Sequence, residues 1–401
     1  MKKIKLETVY KLIIITSLII TLITITVSKL TTKDGIILKK DLTVNFRDEV
    51  YIKDFISSLE GTLVDNYKVD TSTVGQKDLL ISFQNKYNFI VNKKITIEIK
   101  DITSPTIVVS DPYTIEEGSV NNLVDTIFCA DDYDDNPNCH IEGDYDLNTP
   151  GNYKLKISAT DQSGNNTSKN FILNITKKTN KTTSSKPIPT YTSFNSILKK
   201  YKNDNNSIGL DLSKWQEEVD FAKLKEQGVE FVMLKIGGQK EIGGEFHIDP
   251  KFYDNIKGAL ANDIKVGLYF YSYATTEKEA IKQADWIANK IKNYEVDLPI
   301  AFDWENWHNY TSFHLSFNSL NKIASAFVNQ IEKHNYKAML YSSKSYLENI
   351  WYQEDYTTWI AYYTNSFPEY NNYYMWQLCS DGKIDGIKGY VDIDIMPKTF
   401  N

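Results

Sequence analysis

Arginine is nearly absent from this 401-residue chain: Arg47 is the only one among 45 basic residues. Bidentate guanidinium recognition of phosphate is therefore nearly excluded. A formal charge of −7 and a pI near 5.4 argue further against a nucleic-acid binder. Histidine is scarce as well. The five present (His140, His247, His308, His314 and His334) show no paired ligand spacing at a strand end, which speaks against a zinc-dependent polysaccharide deacetylase. Cysteine is limited to three positions, Cys129, Cys139 and Cys379. Tyrosine, by contrast, is abundant at 27, which suits sugar-stacking surfaces and equally suits cores.

The N-terminus carries Lys2, Lys3, Lys5 and Lys11 ahead of an apolar run from Leu12 to Val27 that only Ser and Thr interrupt. That length lies between a signal-peptide core and a full membrane span. Ser28-Lys29-Leu30 follows, with no small-x-small cleavage site. An uncleaved signal anchor over 12–30 is favoured over a cleaved signal peptide. The lysine excess leaves 1–11 in the cytoplasm and puts the rest of the chain outside the cell membrane.

Residues 35–103 and 104–176 alternate in short β-like runs, such as Lys94–Lys100 and Tyr153–Ala159, separated by Gly, Asn and Asp turns. A weak repeat of about 70 residues is visible, enough for a small β-sandwich each. In the second unit Cys129 and Cys139 flank the acidic loop 130–136, and in an exported chain such a pair suggests a disulfide. A calcium site on Asp131, Asp132, Asp134 and Asp135 and a solvated acidic turn both fit this loop. The missing EF-hand glycine and closing glutamate favour the turn. Residues 177–206 are polar, basic and proline-bearing at their start, as a flexible linker is.

From Ser207 the period changes. Strand-like runs appear at 208–210, 230–234, 266–271, 298–302, 338–341, 359–362, 374–378 and 391–395, with amphipathic stretches at 221–227, 277–292 and 320–333 between them. Eight strands in about 195 residues predict an α/β fold, a β/α barrel with some helices short or missing. Catalytic groups in such barrels stand at the C-terminal strand ends. Asp303 and Glu305 fall there, two residues apart and so on one face of a strand, with Phe302 and Trp304 on the other. Two neighbouring carboxyls push each other's pKa values apart, the equipment of glycoside hydrolysis. A solvated acidic strand end, or a cation site, is the plain alternative. Asp211 follows the first strand. Asp392 comes early in the last, so reaching the same mouth requires that strand to be short or bent.

Four motifs then occur in order: Gly209-Leu-Asp-Leu-Ser-Lys-Trp-Gln216, Phe302-Asp-Trp-Glu305, Trp376-Gln377 and Gly386-Ile-Lys-Gly-Tyr-Val-Asp392. With them, 207–401 resembles glycoside hydrolase family 25, the lysozymes or N-acetylmuramidases. The turns Asn148–Tyr153 and Ala159–Asn165 likewise make 104–176 similar to bacterial Ig-like surface modules, whereas 35–103 lacks them. The family resemblance implies a modified β/α barrel, no cofactor or metal, and cleavage of the β-1,4 bond between N-acetylmuramic acid and N-acetylglucosamine in peptidoglycan glycan strands. It implies Glu305 as general acid with a raised pKa, and Asp303 as the ionised partner that attacks the sugar or orients its acetamido group. Asp211 and Asp392 complete the site. Tyr271, Tyr341, Trp359, Tyr362, Trp376 and Gln377 are the candidate substrate contacts, each of the aromatics also a candidate for barrel core. A wall-binding protein with a dead barrel is the rival in another class, and retention of all four acids speaks against it.

Overall fold

The computed structural model of the chain describes residues 6–31, 35–178, 191–305, 310, 312–352, 356–370 and 373–397. It has two compact units, 1–103 and 104–401. In the first, the N-terminal helix Leu6–Thr31 contains a 20-residue apolar stretch, Val9–Ser28. At a rise of about 1.5 Å per residue this is long enough for a hydrocarbon core roughly 30 Å thick. Its threonines donate to carbonyls one turn back: Thr16 to Leu12 (2.5 Å), Thr21 to Ser17 (2.8 Å) and Thr24 to Ile20 (2.7 Å). These threonine hydroxyls are therefore satisfied within the helix and need no water.

The rest of that unit is a β module built on a four-stranded sheet in the order Thr43–Asn45, Ile90–Lys100, Gly75–Asn85, Gly61–Leu63. Alternate residues Leu79, Ile81 and Phe83 meet Ile95, Ile97 and Ile99 in its core, as a period of two requires. The second module has the order Tyr113–Glu116, Asn166–Thr176, Gly151–Thr160, Asn138–Glu142. Both share one plan. The two long central strands form an antiparallel hairpin, the short strand beside the second arm runs parallel to it, and the one beside the first arm runs antiparallel. The weak repeat in the sequence is thus a repeated sheet order. Cys129 and Cys139 are joined in a disulfide, their Cα atoms 6.6 Å apart.

Beyond the second module eight strands close a barrel: β1 Asn206–Leu212, β2 Phe231–Gly238, β3 Lys265–Tyr271, β4 Ile300–Asp303, β5 Ala338–Ser343, β6 Thr358–Ala361, β7 Tyr373–Lys383 and β8 Val391–Pro397. Strands β1 to β7 pair in parallel, while β8 runs antiparallel between β7 and β1. This corrects the expectation of a short or bent last strand. Reversal alone brings the start of β8 to the end where the others finish, and Asp392 pairs with Asp211 in register.

Inward positions Phe231, Met233, Tyr269, Ala301, Met339, Trp359, Met375 and Met396 fill the barrel, and outward neighbours such as Val232, Leu268, Phe302, Leu340 and Ile393 pack under the helices. Gly267 of β3 shares the inward parity of Tyr269, and a Cβ there would stand 2.4 Å from Met233 Sδ, so the position requires glycine. The helices are α1 Phe194–Tyr201, α2 Phe221–Glu226, α3 Phe252–Ala261, α4 Glu277–Ile291, α5 Phe317–Lys333 and α6 Lys344–Asn349.

Two sequence expectations fail here. The expected linker 177–206 ends early; 179–190 lie outside the described residues, but 191–206 are folded. Thr192–Ser193 adds to β7, and α1 buries Phe194, Ile197 and Tyr201 against the barrel. Four apolar residues at helical spacing sit in this polar stretch, too few to shift its composition but enough for one face of two turns.

The acidic loop is not a solvated turn either. Asp131 and Asp134 are buried. The loop's Asp131 and Asp132 carbonyls accept from the Phe317 and Asn318 amides (2.9 and 3.0 Å), and Asp135 Oδ1 accepts from the Ser316 amide (2.7 Å). Two orphan donors at the start of α5, the Phe317 and Asn318 amides, are satisfied by the preceding module, and module and barrel form one unit.

Phe194→Ala tests the status of α1. Removing a side chain that is 2% exposed is expected to destabilise the unit by about 3–5 kcal/mol, read as a lower urea midpoint. An unchanged midpoint would return α1 to the linker.

Candidate active site

Because side chains alternate, every barrel strand presents an inward group at the same mouth, and β3 presents two: Asp211 (β1), Lys235 (β2), Tyr269 and Tyr271 (β3), Asp303 (β4), Tyr341 (β5), Trp359 (β6), Gln377 (β7) and Asp392 (β8). Glu305 follows β4 by two residues and shares Asp303's side. Asp211, Lys235, Tyr269, Tyr271, Asp303, Glu305, Tyr341, Trp359 and Asp392 line a cleft of about 350 Å³. The four candidate acids thus converge.

Gln377 holds two of them. Its Nε2 donates to Asp211 Oδ2 at 3.2 Å and to Asp392 Oδ2 at 3.1 Å. Its Oε1 accepts from the hydroxyls of Tyr341 (2.9 Å) and Tyr363 (3.1 Å). One amide thereby ties β1, β5, β7 and β8 together. Beneath it, Asp394 is fully buried, and its Oδ1 accepts from Trp359 Nε1 at 2.9 Å.

Burial sets the electrostatics. Asp303 is 2% exposed, and its carboxyl is held well above the usual range, first by burial, then by the charge of Glu305 and a hydrogen bond with it. The sequence reading had Asp303 ionised, whereas its carboxyl is held high. Its more buried position on the ladder is the reason. Asp211 is likewise raised by burial and by Asp392. Burial and the charge of Glu305 push Asp392 up to about 7. Burial raises Asp394 as well, followed by the charges of Asp211 and Asp392. Lys235 opposes the rise at Asp211 and Asp303, and its ammonium lies 4.6 Å from the Tyr271 ring centre.

Against protein families, residues 210–387 match the model for glycosyl hydrolases family 25. The C-terminal domain is a family 25 glycosyl hydrolase. Its curated relatives include the uncharacterized protein YegX of Escherichia coli K12, 28% identical over 199 residues, covering 48% of this chain and 70% of the relative. The autolytic lysozyme of Clostridium acetobutylicum is 28% identical over 189 residues, 46% of this chain and 54% of the relative. Among solved structures, the Clostridium perfringens spore cortex lytic enzyme SleM aligns with a TM-score of 0.43 at 23% identity, covering 49% of this chain and 69% of its own. A family 25 glycosyl hydrolase from Bacillus anthracis aligns with a TM-score of 0.41 at 20% identity, covering 49% and 91%.

Not every candidate of this family 25 domain sits where the sequence put it. Tyr271 and Tyr341 line the cleft, and Trp359 forms its floor. Trp376 points outward into the core, packed on Tyr201 and Phe367 at 5.6 and 5.3 Å, and its Nε1 donates to the Tyr362 carbonyl at 2.8 Å. It offers no face to a sugar. Gln377 is 0% exposed, so its work is to hold the acids rather than to touch substrate. Tyr362 lines an adjoining groove of about 490 Å³ with Glu305, Tyr341 and Lys344.

Sequence reasoning missed Lys235, although a lone lysine in an otherwise apolar strand is a costly placement and hence a signal. It also passed over Tyr363, Tyr390 and Trp215, a tryptophan 74% exposed at the cleft mouth with the Lys214 ammonium 4.8 Å from its ring centre. Cys379 is buried, its thiol pushed up to about 12, chiefly by burial.

Asp392→Asn checks the electrostatics. Unfolded, Asp392 ionises near 3.8, and folded near 7. A raised carboxyl stabilises the fold at low pH and loses that contribution as pH rises through this window. The variant lacks this loss and keeps an acceptor for Gln377. Its Tm relative to wild type is expected to be more favourable at pH 8 than at pH 4, by differential scanning fluorimetry. A pH-independent difference would contradict the shift.

Proposed function

We propose that the barrel is a muramidase that cuts the β-1,4 bond between N-acetylmuramic acid and N-acetylglucosamine, with Glu305 as general acid and Asp303 as the partner that meets positive charge at the anomeric carbon. Family membership supports a peptidoglycan-hydrolysing glycosidase. The observation that carries the finer reading is the carboxyl pair itself. One member is buried, its carboxyl held well above the usual range by burial and by the charge of the other, which stands exposed at the rim two residues on.

In this reading the pair shares one proton. As the glycosidic bond breaks, the developing cation beside Asp303 favours its ionised form. The proton then passes to Glu305 and on to the leaving oxygen. Lys235, Asp211 and Asp392 set the field around the pair. Burial of Asp303 favours a charge-stabilising or orienting role over direct attack. Trp215 and Tyr390, exposed at the mouth, are the stacking faces for sugar rings. The β modules serve as Ig-like spacers, and the N-terminal helix anchors the enzyme with its barrel on the outer side of the membrane.

Glu305→Gln keeps shape and hydrogen bonding but delivers no proton, so kcat is expected to fall by roughly 10²–10⁴-fold with KM little changed. Retention of more than about a tenth of wild-type kcat would remove Glu305 from the role. Mass spectrometry of digested peptidoglycan should show N-acetylmuramic acid at the new reducing ends; N-acetylglucosamine there, or anhydromuramic acid, refutes the bond assignment.

For the anchor, the full chain is expected to sediment with membranes after carbonate washing. A soluble form beginning at Lys29 or later would identify a cleaved signal instead.

A further inference from the structure

Glu305 lies beyond the last ladder pair of β4, which joins Asp303 to Tyr271 and Tyr341. Among the described residues no sheet hydrogen bond fixes it. What stands behind it is Trp304, fully buried on the opposite side of the chain. Phe313 packs on this indole with ring centroids 4.8 Å apart, and Tyr310 with centroids 5.6 Å apart. Tyr310 in turn rests on Phe128, 4.9 Å away, and Phe128 also reaches Phe317 of α5 at 6.3 Å.

Phe128 belongs to the second β module, one residue before the disulfide cysteine Cys129. Its module is held to α5 by the bonds from Ser316, Phe317 and Asn318 to the acidic loop. That loop is itself braced. Asp131 Oδ1 accepts from the Tyr133 and Asp134 amides at 2.9 and 2.7 Å, and Asp134 accepts twice from Gln162 at 2.9 Å.

We propose that the second module is a clamp on the catalytic strand end and that its Phe128 is a positioning residue for Glu305, acting through Tyr310 and Trp304. This rests on the reading of Glu305 as the acid. One backbone carries Asp303, Trp304 and Glu305, so a shift of the indole moves the two carboxyls relative to each other. Misplacement of a catalytic group by about 1 Å costs on the order of 10²-fold. A module that merely spaced the barrel from the membrane needs no ring under the residue between the two acids.

The test uses the full chain in detergent with a soluble uncrosslinked glycan of alternating N-acetylglucosamine and N-acetylmuramic acid. Phe128→Ala is expected to lower kcat by about 10- to 100-fold while KM stays within about twofold. Weaker coupling to Glu305 lowers the pKa of Asp303, so the alkaline limb of the kcat profile should move to lower pH. Phe128→Tyr keeps the ring and should restore kcat. Asp135→Ala, which removes the acceptor for Ser316 while leaving the rings, should give a smaller loss with the same pH shift. It decides the matter if Phe128→Ala does not fold.

Wild-type kcat and an unmoved pH profile in folded variants would overturn the clamp and leave the module with structure alone. If Glu305→Gln is inactive in the same assay while these variants are unaffected, only the clamp fails. If Glu305→Gln is active, the site reading fails first.

Discussion

The amide of Gln377 is the point on which the mouth of this barrel depends. Two tyrosine hydroxyls donate to its oxygen, so its nitrogen is left for Asp211 and Asp392. Those two carboxyls are paired across the seam where the antiparallel β8 meets β1. Without a donor between them, two like-charged groups would face each other in a largely buried site, an arrangement worth several kcal/mol of repulsion and desolvation. With it, the closure of the barrel and the assembly of the acids become one event. Reversal of β8 brings Asp392 to the mouth, and Gln377 makes its presence there tolerable.

The remaining charge is handled by protonation. Asp211, Asp303, Asp392 and Asp394 are all shifted upward, and burial is the leading cause for each. Lys235 is the one cation lining the described cleft, and it opposes only part of this. The site therefore favours the protonated forms of these carboxyls, which suits chemistry that must donate a proton and then face a cation. The same burial makes the site a stability liability at high pH, offset by the apolar layers inside and outside the barrel wall. Activity and stability here draw on the same residues in opposite directions.

Much of this was legible in the chain. Strong apolar runs located all eight strands, because a strand buried on both faces reads as a continuous hydrophobic segment. The alternation Phe302-Asp303-Trp304-Glu305 gave the side of each residue correctly, two into the mouth and two into the core. Strand direction was not legible, since Val391–Ile395 alternates identically whichever way it runs. Trp376 shows the same limit. Its neighbour Gln377 faces inward, so parity puts the indole outside, yet parity becomes usable only once one residue of the strand is placed.

The helix Phe194–Tyr201 and the buried aspartates of the acidic loop were misread for a common reason. Both are polar by composition, and both are folded by partners far away in sequence. Asp131 and Asp135 meet α5 across more than 180 residues of chain, a pairing that no local pattern announces.

That long-range contact bears on how the catalytic pair is held. β4 is four residues long and ends at Asp303. The sheet therefore fixes one carboxyl and leaves the other to its surroundings. Side-chain rotamer freedom at Glu305 is limited only if the backbone at Trp304 is fixed, and an indole buried among Tyr310 and Phe313 provides that. An aromatic cage resists displacement because every shift opens a gap and forfeits dispersion contacts on one side. Part of its outer wall, however, comes from outside the barrel. Phe128 supplies it from a β module placed earlier in the chain, behind a disulfide and a loop that ends on a helix N-terminus. The short strand, the buried indole and the docked module thus form a single chain of constraint. The precision of the acid is bounded by the stiffness of its last link.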